Sequence, residues 1–254
     1  MIGSARVALV TGAAKRIGRA IALDLAHQGF EVAVHYLGSA RAAHALTREI
    51  EGLGRRALAL KADLADEAET ALLIARAAEA LGPVTLLVNN AAIFEYDRPA
   101  TAHRQSFERH MAINLRAPLV LVQGLVTQLP EGAEANVVNL IDQRVLNPTP
   151  NYTSYTVSKA ALWALTRHLA LALAPRVRVN GIGPGPALRH ERMDATKFEA
   201  LCQALPLGRG TSPEEICRAL RFILESPSLT GQMIALDGGQ HLGWLLPGQI
   251  ANAD

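Results

Sequence analysis

Val7-Ala8-Leu9-Val10-Thr11-Gly12-Ala13-Ala14-Lys15-Arg16-Ile17-Gly18-Arg19-Ala20 is the stretch from which the rest of the chain can be read. Its first four residues are apolar and predict a short strand buried on both faces. Gly12 permits a tight turn, and Gly18 lets the following helix pack close to the sheet. The start of that helix offers free backbone N–H groups and a positive dipole end, the usual seat of a pyrophosphate. Two glycines alone also fit an ordinary strand-to-helix turn. Strand, glycine turn and helix in this order predict a dinucleotide site.

Outward from this unit the same alternation repeats. Strands are expected at Val7–Val10, Glu31–Tyr36, Arg56–Ala62, Val84–Asn89, Asn136–Ile141, Val177–Ile182 and Met233–Leu236. Helices are expected at Ile17–Gln28, Ala40–Glu51, Asp66–Ala80, Thr101–Gln128 (with a break near its middle), Thr153–Ala174 and Pro213–Leu224. Gly29 reads as the C-terminal stop of the first helix, and Ser212-Pro213-Glu214-Glu215 as an N-cap with proline and acids in the first turn. Strands separated by helices pair in parallel through right-handed crossovers. No repeat or linker divides the chain, so residues 1–254 are read as one doubly wound α/β domain of the Rossmann type.

Composition narrows the function classes. The net charge is +2 and no cluster of Lys or Arg concentrates it, which argues against a nucleic-acid partner. No window approaches the ~20 apolar residues of a membrane helix, and the apolar start leads straight into Thr11-Gly12 without a cleavage site. A cytoplasmic protein is expected. The two cysteines, Cys202 and Cys217, stand in no metal-ligand spacing, and no metal site is expected.

The second strand bears on the choice of dinucleotide. An acid about 20 residues beyond the glycine turn would hold the ribose hydroxyl of NAD. Here the strand ends Val34-His35-Tyr36-Leu37-Gly38-Ser39, without one, while Lys15, Arg16 and Arg41 stand nearby. Cations and a serine hydroxyl favour a 2′-phosphate, so NADPH is expected; surface solvation is the plainer reading of His35 and Arg41. Asp63 and Asn89-Asn90-Ala91 fall at carboxyl ends of strands, where ligands bind in such sheets. The asparagines equally suit a role tying strand ends together.

Tyr155 and Lys159 stand at i and i+4, on one face of a helix. An ammonium beside a phenol is expected to lower the phenol's pKa and make it a usable proton donor. Together, Thr11-Gly12 with Gly18, Asn89-Asn90-Ala91, Asn114, Tyr155 with Lys159, Pro184-Gly185 and Asp237-Gly238-Gly239 resemble the short-chain dehydrogenase/reductase superfamily over residues 6 to about 240. The resemblance implies strand order 3-2-1-4-5-6-7 and hydride transfer from nicotinamide, with Tyr155 as proton donor. Lys159 would hold the nicotinamide ribose, and Asn114 would support a water relay to it. It also implies cofactor contacts from Gly12, Arg16, Ile17, Gly18, His35, Tyr36, Ser39, Asp63, Asn90, Ala91, Tyr155, Lys159, Pro184 and Gly185.

Two departures point to one branch. Arg16 stands where the superfamily usually has a third glycine, and Asp142 where it usually has a serine, thirteen residues before Tyr155. Both resemble the pteridine reductases and the related dihydromonapterin or dihydrofolate reductases, as does His35-Tyr36 followed by Ser39. In that branch Phe94 would stack a pterin against nicotinamide, and Arg16, Asp142 and Tyr155 would complete the substrate contacts. Ala92, Ala187 and Gly38 depart from the branch, which has serines at the first two positions and often arginine at the third. Arg16 is expected to compensate by reaching both phosphate and substrate. Plainer readings are a loop cap with Arg144 for Asp142, and packing for Phe94.

Hydride to pterin C6 and a proton to N5 is the leading expectation. A carbonyl reductase of keto-acyl, sugar or steroid substrates is the alternative, and a catalytically silent NADPH-binding regulator a further one. Residues at about 183–212 are expected to form a substrate lid, with Gly183 to Pro186 as loop and Arg189, His190, Glu191, Arg192 and Met193 making it polar. The Ala- and Leu-rich helix 153–174 suggests a helix-helix subunit contact, and the family resemblance implies a homodimer or homotetramer. The apolar tail at about 241–254, with Trp244, Leu245 and Leu246, is expected to pack on its own or a neighbouring subunit.

Overall fold

A computed structural model describes residues 6–189 and 193–243. Seven parallel strands form one sheet: β1 Val7–Val10, β2 Glu31–Tyr36, β3 Ala57–Lys61, β4 Val84–Asn89, β5 Ala135–Leu140, β6 Val177–Pro184 and β7 Met233–Leu236. Their order is β3-β2-β1-β4-β5-β6-β7. The fold is thus a single-domain Rossmann-type α/β fold, as expected from the alternation. Register follows directly, with Val10 opposite Val34 on one side and Val88 on the other.

The strands feed two cores at once. Ala8 and Val10 face the layer that contains α1 (Arg16–His27), α2 (Ala40–Gly52) and α8 (Pro213–Glu225). Val7 and Leu9 face the other, with α3 (Glu67–Leu81), α5 (Ala117–Gln128) and the end of α6 (Thr153–Ala172). Period-two alternation with apolar residues on both sides is what a strand between two helix layers requires. Each such buried leucine or valine contributes about 1.5–3 kcal/mol.

Helix ends follow the local signals. After α1, Gly29 takes φ +91°, and the N–H groups of Gly29 and Phe30 return to the carbonyls of Ala26 and Leu25. Ser212 caps α8 by accepting from the Glu215 N–H, with Pro213 in the first turn. Asp66 caps α3 by accepting from Ala68 and Glu69.

Two expectations are corrected. The stretch 101–128 does not break: α4 (Arg104–Met111) runs through a π-helical segment, Ala112–Arg116, into α5. Pro118 has no N–H to give the Asn114 carbonyl, and the Ala117 N–H bonds instead to Ala112, one residue further back than in an α-helix. Gly183 and Pro184 are strand rather than lid loop, because β6 is drawn out beside β7, pairing Gly183 with Ala235 and Pro184 with Leu236. The short helix α7 (Ala195–Gln203) begins after Asp194, which caps it. His190, Glu191, Arg192 and the tail from Trp244 onward lie outside the described residues. Among the described residues no helix is long and apolar enough to cross a membrane.

Candidate active site

The sheet order reverses beside β1, so the β2 and β4 connections leave on opposite sides and a crevice opens at the carboxyl ends of β1 and β4. Gly12 lines it with φ +61°, and a side chain there would meet Ala91 Cα at 3.1 Å. A Cβ on Gly18 would lie 2.3 Å from the Gly12 carbonyl oxygen and 2.6 Å from Asn90 Nδ2. Only hydrogen fits at that approach. Asn90 donates its amide to the carbonyls of Thr11 and Gly12, and the N–H groups of Asn90 and Ala91 donate to Thr11 Oγ1. Asn89 instead donates to Asn139, which donates to Thr166 on α6. The asparagine pair therefore ties strands together, and its second member also shapes the glycine turn.

The start of α1 is left open. Its N-cap, Lys15, makes no side-chain cap bond, and the first turn carries no acid. Ile17 packs against the core while Lys15 and Arg16 are exposed. Arg16 has φ +55°, in the left-handed region that suits the glycine usual there. Its guanidinium donates to the carbonyls of Leu188 and Arg189, both at 2.9 Å, and so reaches the proposed lid.

His35 corrects both earlier readings. It is buried, neither a surface residue nor free to meet a phosphate. Its Nδ1 accepts from the Gly12 N–H at 3.0 Å, which leaves Nε2 to donate to the Ala62 carbonyl at 3.1 Å. Burial lowers its pKa and keeps the ring neutral, so it acts as a strut under the glycine turn. Tyr36 is likewise buried, edge-on to His44. Ser39 precedes α2 without capping it by its side chain. Asp63 accepts from the Ala65 N–H, bracing the turn after β3. No acid follows β2 in Leu37-Gly38-Ser39, and both Gly38 and Arg41 are exposed. Pro184 closes β6, and Gly185 sits so close to Asp237 that a side chain would meet its Cα at 2.8 Å.

At the neighbouring strand end, Asp142 follows β5 and faces α6. Its Oδ1 accepts from the Arg144 N–H and its Oδ2 from the Tyr155 hydroxyl, both at 2.8 Å. The loop-cap reading and the catalytic reading describe the two oxygens of one carboxylate. Burial pushes the Asp142 carboxyl upward, against the opposing pull of the Arg144 N–H and charge. Tyr155 is held well above its ordinary range, first by burial and then by the Asp142 charge. The expectation that Lys159 draws the phenol's pKa down is therefore corrected. Lys159 is itself buried, its ammonium lowered to about 8 by desolvation, and it donates to the Leu140 carbonyl at 2.7 Å. The resulting site holds a neutral phenol that donates a hydrogen bond to a buried carboxylate.

Asn114 is buried in the π-helical segment and does not bond Lys159. Its amide clamps Ile93, accepting from its N–H and donating to its carbonyl, and also donates to Ser158 Oγ. Phe94 is 45% exposed, which excludes core packing. One face stacks on Tyr152, with ring centroids 4.2 Å apart and planes 12° apart, and it stands edge-on to Tyr155 at 4.7 Å. Tyr152 holds the left-handed conformation, φ 60° and ψ 48°, a strain of about 1–2 kcal/mol for a bulky residue. Neither its aromatic partner nor its backbone is visible in local sequence, because both depend on residues some sixty positions away in the chain.

A family model described as enoyl-(acyl carrier protein) reductase matches residues 12–241. The chain belongs to the short-chain dehydrogenase/reductase family. Members of this family are oxidoreductases, and the chain is read as one. A short-chain type dehydrogenase/reductase of Picea abies is 31% identical over 250 residues, covering 92% of each chain. The 3-oxoacyl-[acyl-carrier-protein] reductase of Synechocystis sp. is 30% identical over 240 residues, covering 93% of this chain and 97% of that one. Among solved structures, the FolM alternative dihydrofolate reductase 1 of Brucella suis in complex with NADP is 45% identical, with TM-score 0.92 and coverage of 97% of this chain and 99% of that one. Similarity to this structure is thus well above that to the two relatives, and it agrees with the branch that Arg16 and Asp142 resemble.

Proposed function

We propose that this protein is an NADPH-dependent reductase of a dihydropterin-type C=N bond. The observation that carries the proposal is the hydrogen bond from Tyr155 to Asp142 at 2.8 Å, in a position where a serine would serve carbonyl reduction. Likeness to the Brucella suis structure supports the same reading.

The turn fits a dinucleotide phosphate: α1 lacks a cap of its own, and the Gly12–Gly18 approach leaves backbone where side chains would intrude. Gly12, Ile17, Gly18, Asn90 and Ala91 would hold NADPH near the turn, with Arg16, Tyr36, Ser39 and Asp63 toward the adenosine end and Pro184 and Gly185 toward the nicotinamide. When bound, NADPH supplies a hydride, which the proposal directs to pterin C6. Lys159 would orient the nicotinamide ribose, and Asn114 holds the neighbouring helix segment and the Ile93 main chain in place. Phe94 offers its exposed face to the flat heterocycle, with Arg16 and a lid that begins after Pro184 closing over it.

The proton for N5 resides on the Asp142–Tyr155 pair. Asp142, whose pKa burial raises, holds a proton more readily than an exposed carboxylate. Carbonyl reduction is the second reading. A neutral Tyr155 phenol can polarise a carbonyl oxygen, and the Synechocystis relative is named for such a substrate. Assembly as a homodimer or homotetramer through α6 is part of the proposal, since Val157 and Leu171 on that helix face outward.

The test follows NADPH consumption with dihydromonapterin, dihydrobiopterin, dihydrofolate and a panel of small ketones. Turnover of dihydropterins, lost in Asp142→Ser, is expected. Turnover of ketones alone would overturn the substrate reading, and NADPH binding without any turnover would favour a silent regulator.

A further inference from the structure

The helix that carries Tyr155 and Lys159 has no cap of its own. Its N-cap position is Tyr152, whose side chain makes no cap hydrogen bond. The first-turn N–H of Ser154 is satisfied from elsewhere: Asp97, on the loop after β4, accepts from it with both oxygens, at 3.2 and 3.3 Å. Asp97 Oδ2 also accepts from the Ser154 hydroxyl at 2.5 Å, and the Asp97 carbonyl accepts from the Tyr152 N–H at 2.8 Å. Asp97 and Ser154 are both buried, so water does not compete with these bonds.

The loop that carries Asp97 also carries Phe94 and Tyr96. Phe94 stacks on Tyr152, Tyr96 meets Tyr152 edge-on at 5.2 Å, and Arg98 donates to Asn151 at 2.8 Å. One carboxylate thus fastens two things at once: the first turn of the catalytic helix and the aromatic slab beside it. A carboxylate at a helix N-terminus is favoured by the dipole as well as by its hydrogen bonds.

We propose that Asp97 is a positioning residue for the reaction at Asp142 and Tyr155, setting where Tyr155 and Phe94 stand by capping α6 across the loop. The proposal rests on the catalytic reading of the Asp142–Tyr155 pair. It does not require that the substrate be a pterin. Asp97 touches neither of these residues, and acts only through Ser154, Tyr152 and the loop it anchors.

The test compares Asp97→Ala, Asp97→Asn and Ser154→Ala with the wild type, each assayed where it is folded by circular dichroism. Asparagine keeps an acceptor for Ser154, so it is expected to retain most activity. Alanine is expected to lower kcat by ~10- to 100-fold, the scale of an ångström-sized misplacement, with NADPH affinity unchanged. Ser154→Ala removes the hydroxyl bond alone and should fall between. Amide hydrogen exchange over residues 152–159, read without substrate, should quicken in Asp97→Ala while that of α3 does not.

A merely structural role would lower the melting temperature and leave the kcat of folded Asp97→Ala at the wild-type value; that result overturns the proposal. So does unchanged exchange over 152–159. Should Asp97→Ala fail to fold, Ser154→Ala with wild-type kcat and wild-type exchange would overturn it equally. A wild type that reduces ketones and not dihydropterins sinks the substrate reading, while the same comparison, run on the ketone, still decides the role of Asp97.

Discussion

The starts of α1 and α6 share a local deficit and resolve it in opposite ways. Neither helix has a side-chain cap at its own N-cap residue, Lys15 in one and Tyr152 in the other. At α1 the first-turn donors are left toward the crevice, with no acid nearby and the glycines cleared of side chains. At α6 a buried aspartate from 57 residues away reaches in. The difference teaches what each end is for. An open N-terminus leaves donors free for an anion, whereas a closed one ties them to the protein itself. Helices α3 and α8, capped by Asp66 and Ser212, show the ordinary solution beside both.

The sharpest way to break this comparison is to remove the chemistry from the α6 side while sparing the α1 side. Asp142→Ala and Tyr155→Phe should each reduce turnover by ~10²- to 10⁴-fold, with NADPH affinity, followed by its fluorescence, close to wild type. Equal losses of turnover and NADPH affinity would mean that the two regions are not separable. Next comes Gly18→Ala, whose Cβ would meet backbone at 2.3 Å. It should cost about 1–3 kcal/mol of stability in chemical denaturation and weaken NADPH binding more than any change at Asp97. Unaltered binding would show that the close approach does not shape the cofactor site.

Burial of Lys159 predicts a pH signature that originates on the α6 side. Its pKa is about 8 in the folded protein against 10.5 unfolded, so between those values the unfolded chain binds the extra proton. The Lys159 contribution to stability should therefore rise with pH across that window, by an amount on the order of 3 kcal/mol. The Cys217 thiol, pushed from 9.0 up to about 12 by burial, lowers stability with pH above its unfolded value in wild type and variant alike. Lys159→Met should remove the rise, which melting curves from pH about 7.5 to 10.5 would reveal. A rise of the same size in the variant would assign the effect to another group. The smallest effect sharpens the comparison at α1 itself. Lys15→Asp gives this helix the cap that α3 has, and should stabilise the ligand-free protein by about 0.5–1 kcal/mol while weakening NADPH binding. Asp66→Ala should cost about 0.5–2 kcal/mol and leave NADPH binding alone.

Legibility in the sequence followed the same division. The glycine turn was readable because everything it needs lies within residues 7–20: strand pattern, positive-φ glycine, and helix start. The exception there was His35, whose role as a strut needs the β1–β2 pairing and the Ala62 carbonyl to be seen. Tyr155 and Lys159 were readable as a helical pair, but the direction of the Tyr155 shift was not. That direction comes from burial and from a carboxylate thirteen residues upstream, neither of which the i, i+4 spacing contains. The π-helical turn left only one mark, Pro118, four residues after Asn114.

By itself the sequence determined the alternation of strand and helix, hence the parallel sheet, its two-faced core and the place of the glycine turn. These depend on residue periodicity and on glycine, and both act over a few neighbours. Tertiary structure alone decided which groups meet: Asp142 with Tyr155, Phe94 with Tyr152, Asp97 with Ser154, Arg16 with the Leu188 and Arg189 carbonyls. Each of these contacts joins different loops or elements, and its hydrogen bonds and pKa shifts arise only once the sheet has brought those parts to one edge and removed the water between them.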